Sequence, residues 1–194
     1  MVFFLALNLA LDTKKFIYLL HQSLNIIDFA VTMKGLSKKE IEIISWLELE
    51  KKRFFTRKDV KKFFKNEHEM SIYLNILKNK KRILRINKSK YYLIPIQAYK
   101  DQWAEHPYII IDEMLNGRNY YIGGISAANY WGLTEQVPVE ISVYCINKQG
   151  TKKIFNSTIN FKRQRKLDLK VYTTKFIKEH SFNIATKPES KKWI

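Results

Sequence analysis

The sequence predicts an α+β protein in two parts: three short helices with a hairpin, then a small α+β domain with a curved, mainly antiparallel sheet. Two observations support this. Helical periodicity recurs between residues 37 and 79, and strand-like alternation dominates after residue 137. With 194 residues, 46% of them hydrophobic, the chain can bury a real core. We therefore expect a folded protein rather than a disordered one.

The first 32 residues are unusually apolar. Met1–Leu11 reads MVFFLALNLAL, and a second apolar stretch runs from Phe16 to Ala30. No basic residue precedes the first run, no small-residue cleavage site follows it, and it is too short to span a bilayer. Three interpretations stay open: a packed helical hairpin, a peripheral membrane contact, or translated sequence upstream of a true start at Met33.

Charge is the strongest global signal, with a formal net charge of +17. Residues 33–100 contain 19 basic against 7 acidic side chains, and residues 151–194 contain 12 against 3. Between them, residues 101–150 are mildly acidic, with 2 against 6. Segments as basic as these attract a polyanion and release its counterions on binding. The alternative is a lysine-rich surface that serves only solubility; the sequence favours nucleic acid.

Three helices are expected after residue 36, because each begins at a capping residue and continues as an apolar stripe. Ser37-Lys38-Lys39-Glu40 has the S-x-x-E form of a capping box, and its helix extends to about Glu50. Thr56 and Asn66 cap the next two helices. The third helix has the clearest stripe, at positions i, i+3, i+4 and i+7: Met70, Tyr73, Leu74 and Leu77.

A hairpin follows the third helix. Two strand-like runs, Arg82–Ile86 and Tyr91–Ile94, are joined by the turn residues Asn87–Lys90. Three short helices and a hairpin form the layout of a winged helix-turn-helix, which we place at residues 33–96. In that fold the third helix enters the major groove of DNA, and the hairpin lies along a phosphate backbone.

A helical wheel of the third helix identifies the side chains that would meet DNA bases. Opposite the apolar stripe lie His68, Ser71, Ile72, Asn75 and Asn79. Asparagine pairs bidentately with adenine, serine bonds to bases or phosphates, and an exposed isoleucine can meet a thymine methyl. Phosphate contacts are expected from the start of the second helix and from the hairpin: Thr56, Arg57, Lys58, Arg85, Lys88 and Lys90.

Two acidic residues oppose this assignment. Glu67 and Glu69 lie in the first turn of the third helix and would repel phosphate, so this turn is expected to face bases or solvent. The alternative is a solvated face with no function.

The second part is expected at residues 109–194, after a connector at residues 97–108. Residues 120–138 read as a strand end, a tight Gly-Gly turn, a helix capped by Ser126 and a stop at Gly132. Further strands are expected where apolar residues alternate, at Val137–Cys145, Ile159/Phe161 and Leu169/Val171.

The run YYIGGISAANYWGLTEQVP, followed by a strand, a turn and a basic strand ending in Phe161-Lys162-Arg163, resembles the AbiEi family. These are antitoxins of type IV (abortive-infection) toxin–antitoxin systems, and the resemblance covers about residues 37–186. It implies a winged helix that binds double-stranded promoter DNA and represses its own operon. It also implies a second domain that counteracts a nucleotidyltransferase-like toxin encoded nearby. Family members continue past Ala185–Glu189, so the resemblance implies a shortened C-terminal half.

Winged helices often bind paired half-sites as dimers, so an inverted repeat and a homodimer are further expectations. One alternative is an interaction module, with antitoxin activity, whose DNA binding is incidental.

An enzyme is the less favoured alternative. The carboxylates of the second part form no recognisable two-metal set, and the four histidines are widely scattered: Asp112, Glu113, Glu135, Glu140, His21, His68, His106 and His180. The glycine pair lacks the Gly-Lys-Ser/Thr of a phosphate-binding loop. We expect no catalytic activity, metal, cofactor or small-molecule substrate. The single Cys145 reads as a buried apolar residue and fits a reducing, cytoplasmic compartment.

Overall fold

A computed structural model describes residues 35–95 and 105–194; the expectations for residues 1–34 and 96–104 lie outside the described residues. The described chain is α+β, with six α-helices and two mainly antiparallel sheets. The first half contains α1 (Lys38–Leu49), β1 (Phe54–Thr56), α2 (Arg57–Val60) with a 3₁₀ turn (Lys61–Phe63), α3 (Glu67–Asn79), β2 (Ile83–Arg85) and β3 (Lys90–Leu93). The second half contains α4 (Pro107–Leu115), β4 (Tyr120–Gly123), α5 (Ile125–Tyr130), β5 (Glu140–Cys145), β6 (Gly150–Ile154), β7 (Ser157–Arg163), β8 (Tyr172–Ile177), β9 (His180–Ala185) and α6 (Lys187–Ser190).

The predicted helix starts in the first half are confirmed. Ser37 and Glu40 form the capping box of α1: the Ser37 amide donates to the Glu40 carboxylate (2.5 Å), and Ser37 Oγ accepts from the Glu40 amide (3.4 Å). Asn66 Oδ1 accepts the Glu69 amide (2.8 Å) at the start of α3. The hairpin strands are also confirmed to within a residue or two, but the sequence did not indicate β1, which pairs with β3.

The first sheet, in the order β1-β3-β2, is buried on both faces. Because side chains alternate along a strand, neighbouring residues belong to different cores. One face packs with α1 and α3 and contains Phe55, Ile83, Tyr91 and Leu93. The other face joins the core of the second half and contains Phe54, Leu84 and Tyr92. The hairpin is therefore fixed between the two halves.

The second sheet has the order β6-β7-β5-β4-β9-β8. Pairs β4–β5, β6–β7 and β8–β9 are antiparallel, whereas β4–β9 and β5–β7 are parallel. Its inner face packs against α4, and the predicted apolar alternation of β5 is confirmed for Ile141, Val143 and Cys145, which are all buried.

Three local predictions in the second half were wrong. Helix α5 is not capped by Ser126 but by Gly124, whose φ of 65° lets the chain turn directly from β4 into the helix. Ser126 is buried in the first turn instead and donates to the Glu140 carbonyl (3.2 Å). Val137 and Val139 are exposed, because the ladder of β5 begins only at Glu140.

Leu169 and Val171 do not form a strand. Leu169 is 77% exposed, in a turn closed by Asp168, whose carbonyl accepts the Val171 amide (3.1 Å) and whose side chain accepts the Lys170 amide (2.9 Å). Strand β8 begins afterwards, at Tyr172.

Glu40 connects the start of α1 to the end of α3. It is 1% exposed, and its two carboxylate oxygens accept hydrogen bonds from Lys80 Nζ at 3.0 and 2.8 Å. Burial raises the pKa of Glu40, but hydrogen bonds from Lys80 and Ser37 outweigh it, and the net result is a lowered pKa.

We predict that Glu40→Gln destabilises the protein by about 2–4 kcal/mol, because it leaves the Lys80 ammonium without its carboxylate partner and weakens the capping box. Chemical denaturation measures the change. Glu42→Gln is the matched control, since Glu42 lies on the same helix but is exposed, and it should change stability by less than about 0.5 kcal/mol. Equal effects of the two substitutions would contradict the role of the Glu40–Lys80 pair.

Candidate nucleic-acid interface

Helix α3 presents the predicted polar face to solvent. Its stripe of Met70, Leu74 and Leu77 is buried in the first core, which orients the opposite side outward. All five residues predicted to face bases are exposed, Ile72 to 46%: His68, Ser71, Ile72, Asn75 and Asn79. The structure thus brings them together on one accessible surface, hereafter the α3 face.

Arg57 reaches from α2 onto the α3 face. Its Nη2 donates to Ser71 Oγ (2.6 Å), to the Glu67 carbonyl (3.3 Å) and to the Glu67 carboxylate (3.1 Å). The guanidinium therefore lies beside the residues predicted to contact bases. The position of Arg57 at the start of α2 agrees with the prediction, whereas its pairing with an acidic residue of α3 was not predicted.

The two acidic residues of α3 have different surroundings. Glu69 turns towards α1, where it accepts from Lys39 Nζ (2.6 Å) and from the Lys65 amide (2.8 Å), and these bonds lower its pKa. Glu67 stays on the outer side, paired with Arg57. Each negative charge is thus compensated by a cation, which reduces the repulsion expected for phosphate.

Thr56 and Lys58 flank Arg57 at the start of α2. The Thr56 amide (2.8 Å) and hydroxyl (2.7 Å) both donate to the Asp59 carboxylate, so the threonine side chain is engaged in capping the N-terminus of α2. Lys58 is exposed. Of these two predicted phosphate contacts, Lys58 is the more accessible.

The three predicted hairpin contacts have different environments. Lys88 is exposed at the turn. Arg85 folds back, donating from Nε to the Asn87 carbonyl (3.1 Å) and from Nη2 to the Lys88 carbonyl (2.9 Å). Lys90 forms an ion pair with Glu113 of α4 and is thereby directed towards the second half. The pairing arises because α4 packs beside the hairpin, which no local sequence signal shows.

A second polar cluster, not predicted, lies where the halves meet. Tyr120 Oη donates to Asp112 Oδ1 (2.6 Å), and Asp112 Oδ2 lies 3.1 Å from His180 Nε2. Burial, with the Asp112 hydrogen bond, raises the pKa of Tyr120 and keeps this phenol protonated. An aspartate in this position can orient an imidazole, but Asp112 and His180 are 68 positions apart and only the α4–β9 packing joins them.

Comparisons with known proteins add no assignment: no model of a known protein family matches the chain, and no curated protein gives a significant match. Among residues 35–95 and 105–194, no group of three or more His, Cys, Asp or Glu residues could hold a metal ion. Within the same ranges, none of the helices is long and apolar enough to cross a bilayer.

The cap that positions Arg57 and Lys58 gives a pH-dependent prediction. Burial raises the pKa of Asp59, but hydrogen bonds from Lys52 (2.8 Å) and Thr56 outweigh this effect, and the net pKa is lowered to about 2. In the unfolded chain this carboxyl has its ordinary pKa near 4. The unfolded state therefore binds more protons between pH 4 and 2, and the stabilisation that Asp59 provides above pH 4 is lost as the pH falls through this window.

We expect the wild type to lose about 1 kcal/mol more stability than Asp59→Asn between pH 4.5 and 2.5, measured by denaturant unfolding at each pH. Parallel curves for the two proteins would contradict the pairing. Asp168→Asn, in an exposed turn, serves as the control and should follow the wild type.

Proposed function

We propose that this chain is a double-stranded DNA-binding transcriptional regulator whose first half acts as a winged helix-turn-helix. The observation that carries the proposal is the α3 face, which offers amide, hydroxyl and imidazole groups to solvent, with a guanidinium directly beside it. Those groups can bond to base edges in the major groove, while Arg57 can reach phosphate.

The order of elements supports this proposal. A short helix α2, a tight connection and a longer α3 are followed by the β2–β3 hairpin, with β1 completing a three-stranded sheet. In a winged helix the third helix is the one that enters the major groove. Here α3 has 13 residues and rests on the sheet through its apolar stripe, so the five polar-face residues point away from the first core and are exposed among the described residues.

The second half supports a more specific proposal through its resemblance to the AbiEi antitoxins. The stretch that carries the resemblance forms β4, the glycine turn and α5, where a Cβ on Gly123 would come within 2.6 Å of the Tyr144 ring. Glycine is needed there for close packing, so the motif has a structural basis. We propose that the protein represses its own operon from the cytoplasm and counteracts a nucleotidyltransferase-like toxin, without catalytic activity of its own.

We predict that Asn75→Ala removes sequence preference, whereas Lys88→Ala weakens binding to all sequences alike. An asparagine that pairs with adenine contributes about 1–3 kcal/mol of discrimination, equivalent to roughly 5- to 150-fold. The measurement is a salt-titrated mobility-shift assay with the protein's own promoter fragment and a scrambled fragment of equal length. Asn156→Ala, exposed in the β6–β7 turn, is the control for Asn75.

Equal affinity of the wild type for the promoter and scrambled fragments at moderate salt would contradict the regulator proposal. Binding of a co-expressed neighbouring toxin under those conditions would instead favour an interaction module whose DNA binding is incidental.

Glu67 gives a prediction of opposite sign. It competes with DNA for the Arg57 guanidinium and places a negative charge on the α3 face. We expect Glu67→Gln to strengthen DNA binding by about two- to fivefold, in line with the small free energy of an exposed ion pair. Glu42→Gln changes the net charge equally from the exposed side of α1 and should have a smaller effect. Weaker binding by Glu67→Gln would show that the carboxylate itself contacts a base or orients Arg57 productively.

A further inference from the structure

Strand β8 lies at one edge of the second sheet and, among the described strands, pairs only with β9. Along an antiparallel strand, the backbone groups of successive residues point alternately towards the partner strand and away from it. The Val171 carbonyl accepts the Thr186 amide (2.9 Å), so Val171 and every second residue after it direct their backbone groups to β9. The residues between them direct their amides and carbonyls outward, and we call these residues the β8 edge: Tyr172, Thr174 and Phe176.

The side chains of the β8 edge lie on one face of the sheet and include two aromatic rings. Tyr172 stacks on Tyr121 of β4 with the ring centres 5.5 Å apart, and Tyr121 stacks on Tyr144 of β5 at 5.1 Å. Phe176 lies on the same face as Tyr172, because side chains alternate along a strand. It is nevertheless 66% exposed. An aromatic row thus crosses the sheet and ends at an edge that also carries an exposed phenylalanine.

The β8 edge lacks the usual protection against pairing with another strand, which is a proline, a bulge or a charged side chain. The strand contains no proline, and its pairing with β9 continues without a bulge. Its one charged side chain, Lys175, lies on the opposite face, where the ammonium is 5.1 Å from the centre of the Trp131 ring. The other edge strand, β6, contains Lys152 and Lys153 within five residues. The β8 edge is therefore the edge that can accept a further strand.

We propose that β8 pairs with β8 of a second copy of this chain, antiparallel and about a two-fold axis at Thr174. Two other axes bring outward backbone groups together. An axis at Lys175 would set two lysines directly opposite each other, which is destabilising. An axis at Thr173 would pair only three residues of each strand, whereas an axis at Thr174 pairs five. The sequence of β8 therefore selects one register.

This register makes the edge complementary to itself. Tyr172 comes to lie opposite Phe176 of the second copy, twice, and directly opposed aromatic pairs stabilise sheets. The pairs cover the exposed phenylalanine and continue the aromatic row across the axis. On the opposite face Lys175 meets Thr173, so no like charges oppose each other within the strands. Each of the three outward pairs exchanges two backbone hydrogen bonds, which gives six in all.

The charges just outside the strands are compatible with this pairing. Lys178 comes to lie opposite Lys170 of the second copy, but its ammonium is already 3.3 Å from the Glu105 carboxylate. Glu179 follows Lys178 in the same turn and is exposed, so a carboxylate is available close to Lys170.

The expected dimer is weak, because one pair of short strands is small beside the about 1,600 Å² of a standard interface. We expect a dissociation constant of about 1–100 µM. The two second sheets would then form one continuous sheet of twelve strands. The inference concerns the chain without DNA, so it goes beyond the proposed function and does not depend on it.

The test is a charge exchange at the two-fold axis, measured by sedimentation equilibrium without DNA. Thr174 is exposed and faces itself across the axis, so Thr174→Lys and Thr174→Glu each oppose two like charges. Each variant alone should raise the dissociation constant by at least about tenfold. An equimolar mixture of the two variants opposes lysine to glutamate and should restore association to within about threefold of the wild type.

The matched controls are Thr151→Lys and Thr151→Glu, at an exposed threonine of the other edge strand, β6. They introduce the same charges into the same sheet and should leave the dissociation constant within about twofold of the wild type. Circular dichroism and thermal melting establish that each variant is folded.

The outcomes either support or overturn the inference. Self-association of the wild type that both Thr174 variants weaken and their mixture restores supports it. A wild type that remains monomeric at about 200 µM, well above the expected dissociation constant, overturns it. So does a dimer that the Thr174 variants leave intact, or one that the Thr151 variants weaken equally. Weakening without restoration in the mixture excludes the two-fold register and likewise overturns it. Because no DNA is present, each of these failures leaves the regulator proposal intact.

Discussion

The rest of the structure depends on the three-stranded sheet that both hydrophobic cores share. Phe55 and Tyr91 face the helices of the first half, whereas Phe54 and Tyr92 face the second half. Tyr92 is fully buried, and its hydroxyl accepts the Glu105 amide (3.2 Å). A sheet buried on both faces cannot slip by one residue without placing every side chain in the wrong core. The position of the hairpin is therefore fixed between the two cores, and so is the position of the α3 face relative to the second half.

The cations of this very basic surface fall into two groups: those that form ion pairs with carboxylates of the protein, and those that are exposed to solvent. Lys80, Lys90 and Lys178 neutralise buried or half-buried carboxylates and stabilise the fold. Lys58 and Lys88 have no such carboxylate within the described ranges and are exposed. The formal net charge of the chain therefore overstates the number of cationic groups available to a polyanion. The proposed interface consists of the groups that remain after this sorting, together with the polar residues of α3.

Local sequence signals predicted the first half well and the second half only in part. The capping residues Ser37 and Asn66 and the apolar stripe of α3 are short-range features, since each acts within one or two helical turns. The ion pair of Lys90 was not predictable, because its partner Glu113 lies 23 positions away in the sequence. The error at Leu169 has a similar origin: alternation suggested a strand, but the chain turns at Asp168, and pairing with β9 begins only at Val171, whose carbonyl accepts the Thr186 amide (2.9 Å).

The sequence by itself determined the helices of the first half, the orientation of the α3 face and the excess of positive charge. These follow from capping, periodicity and composition, which involve neighbours along the chain. Only the tertiary structure decided which cations pair and which gather. Residues 101–150 have just two basic side chains, Arg118 and Lys148, and their linear charge balance hid a cluster. The pairing of β4 with β5 and of β5 with β7 brings both residues beside the end of β7. This arrangement was not predictable from the sequence, because strand register and parallel pairing depend on long-range packing.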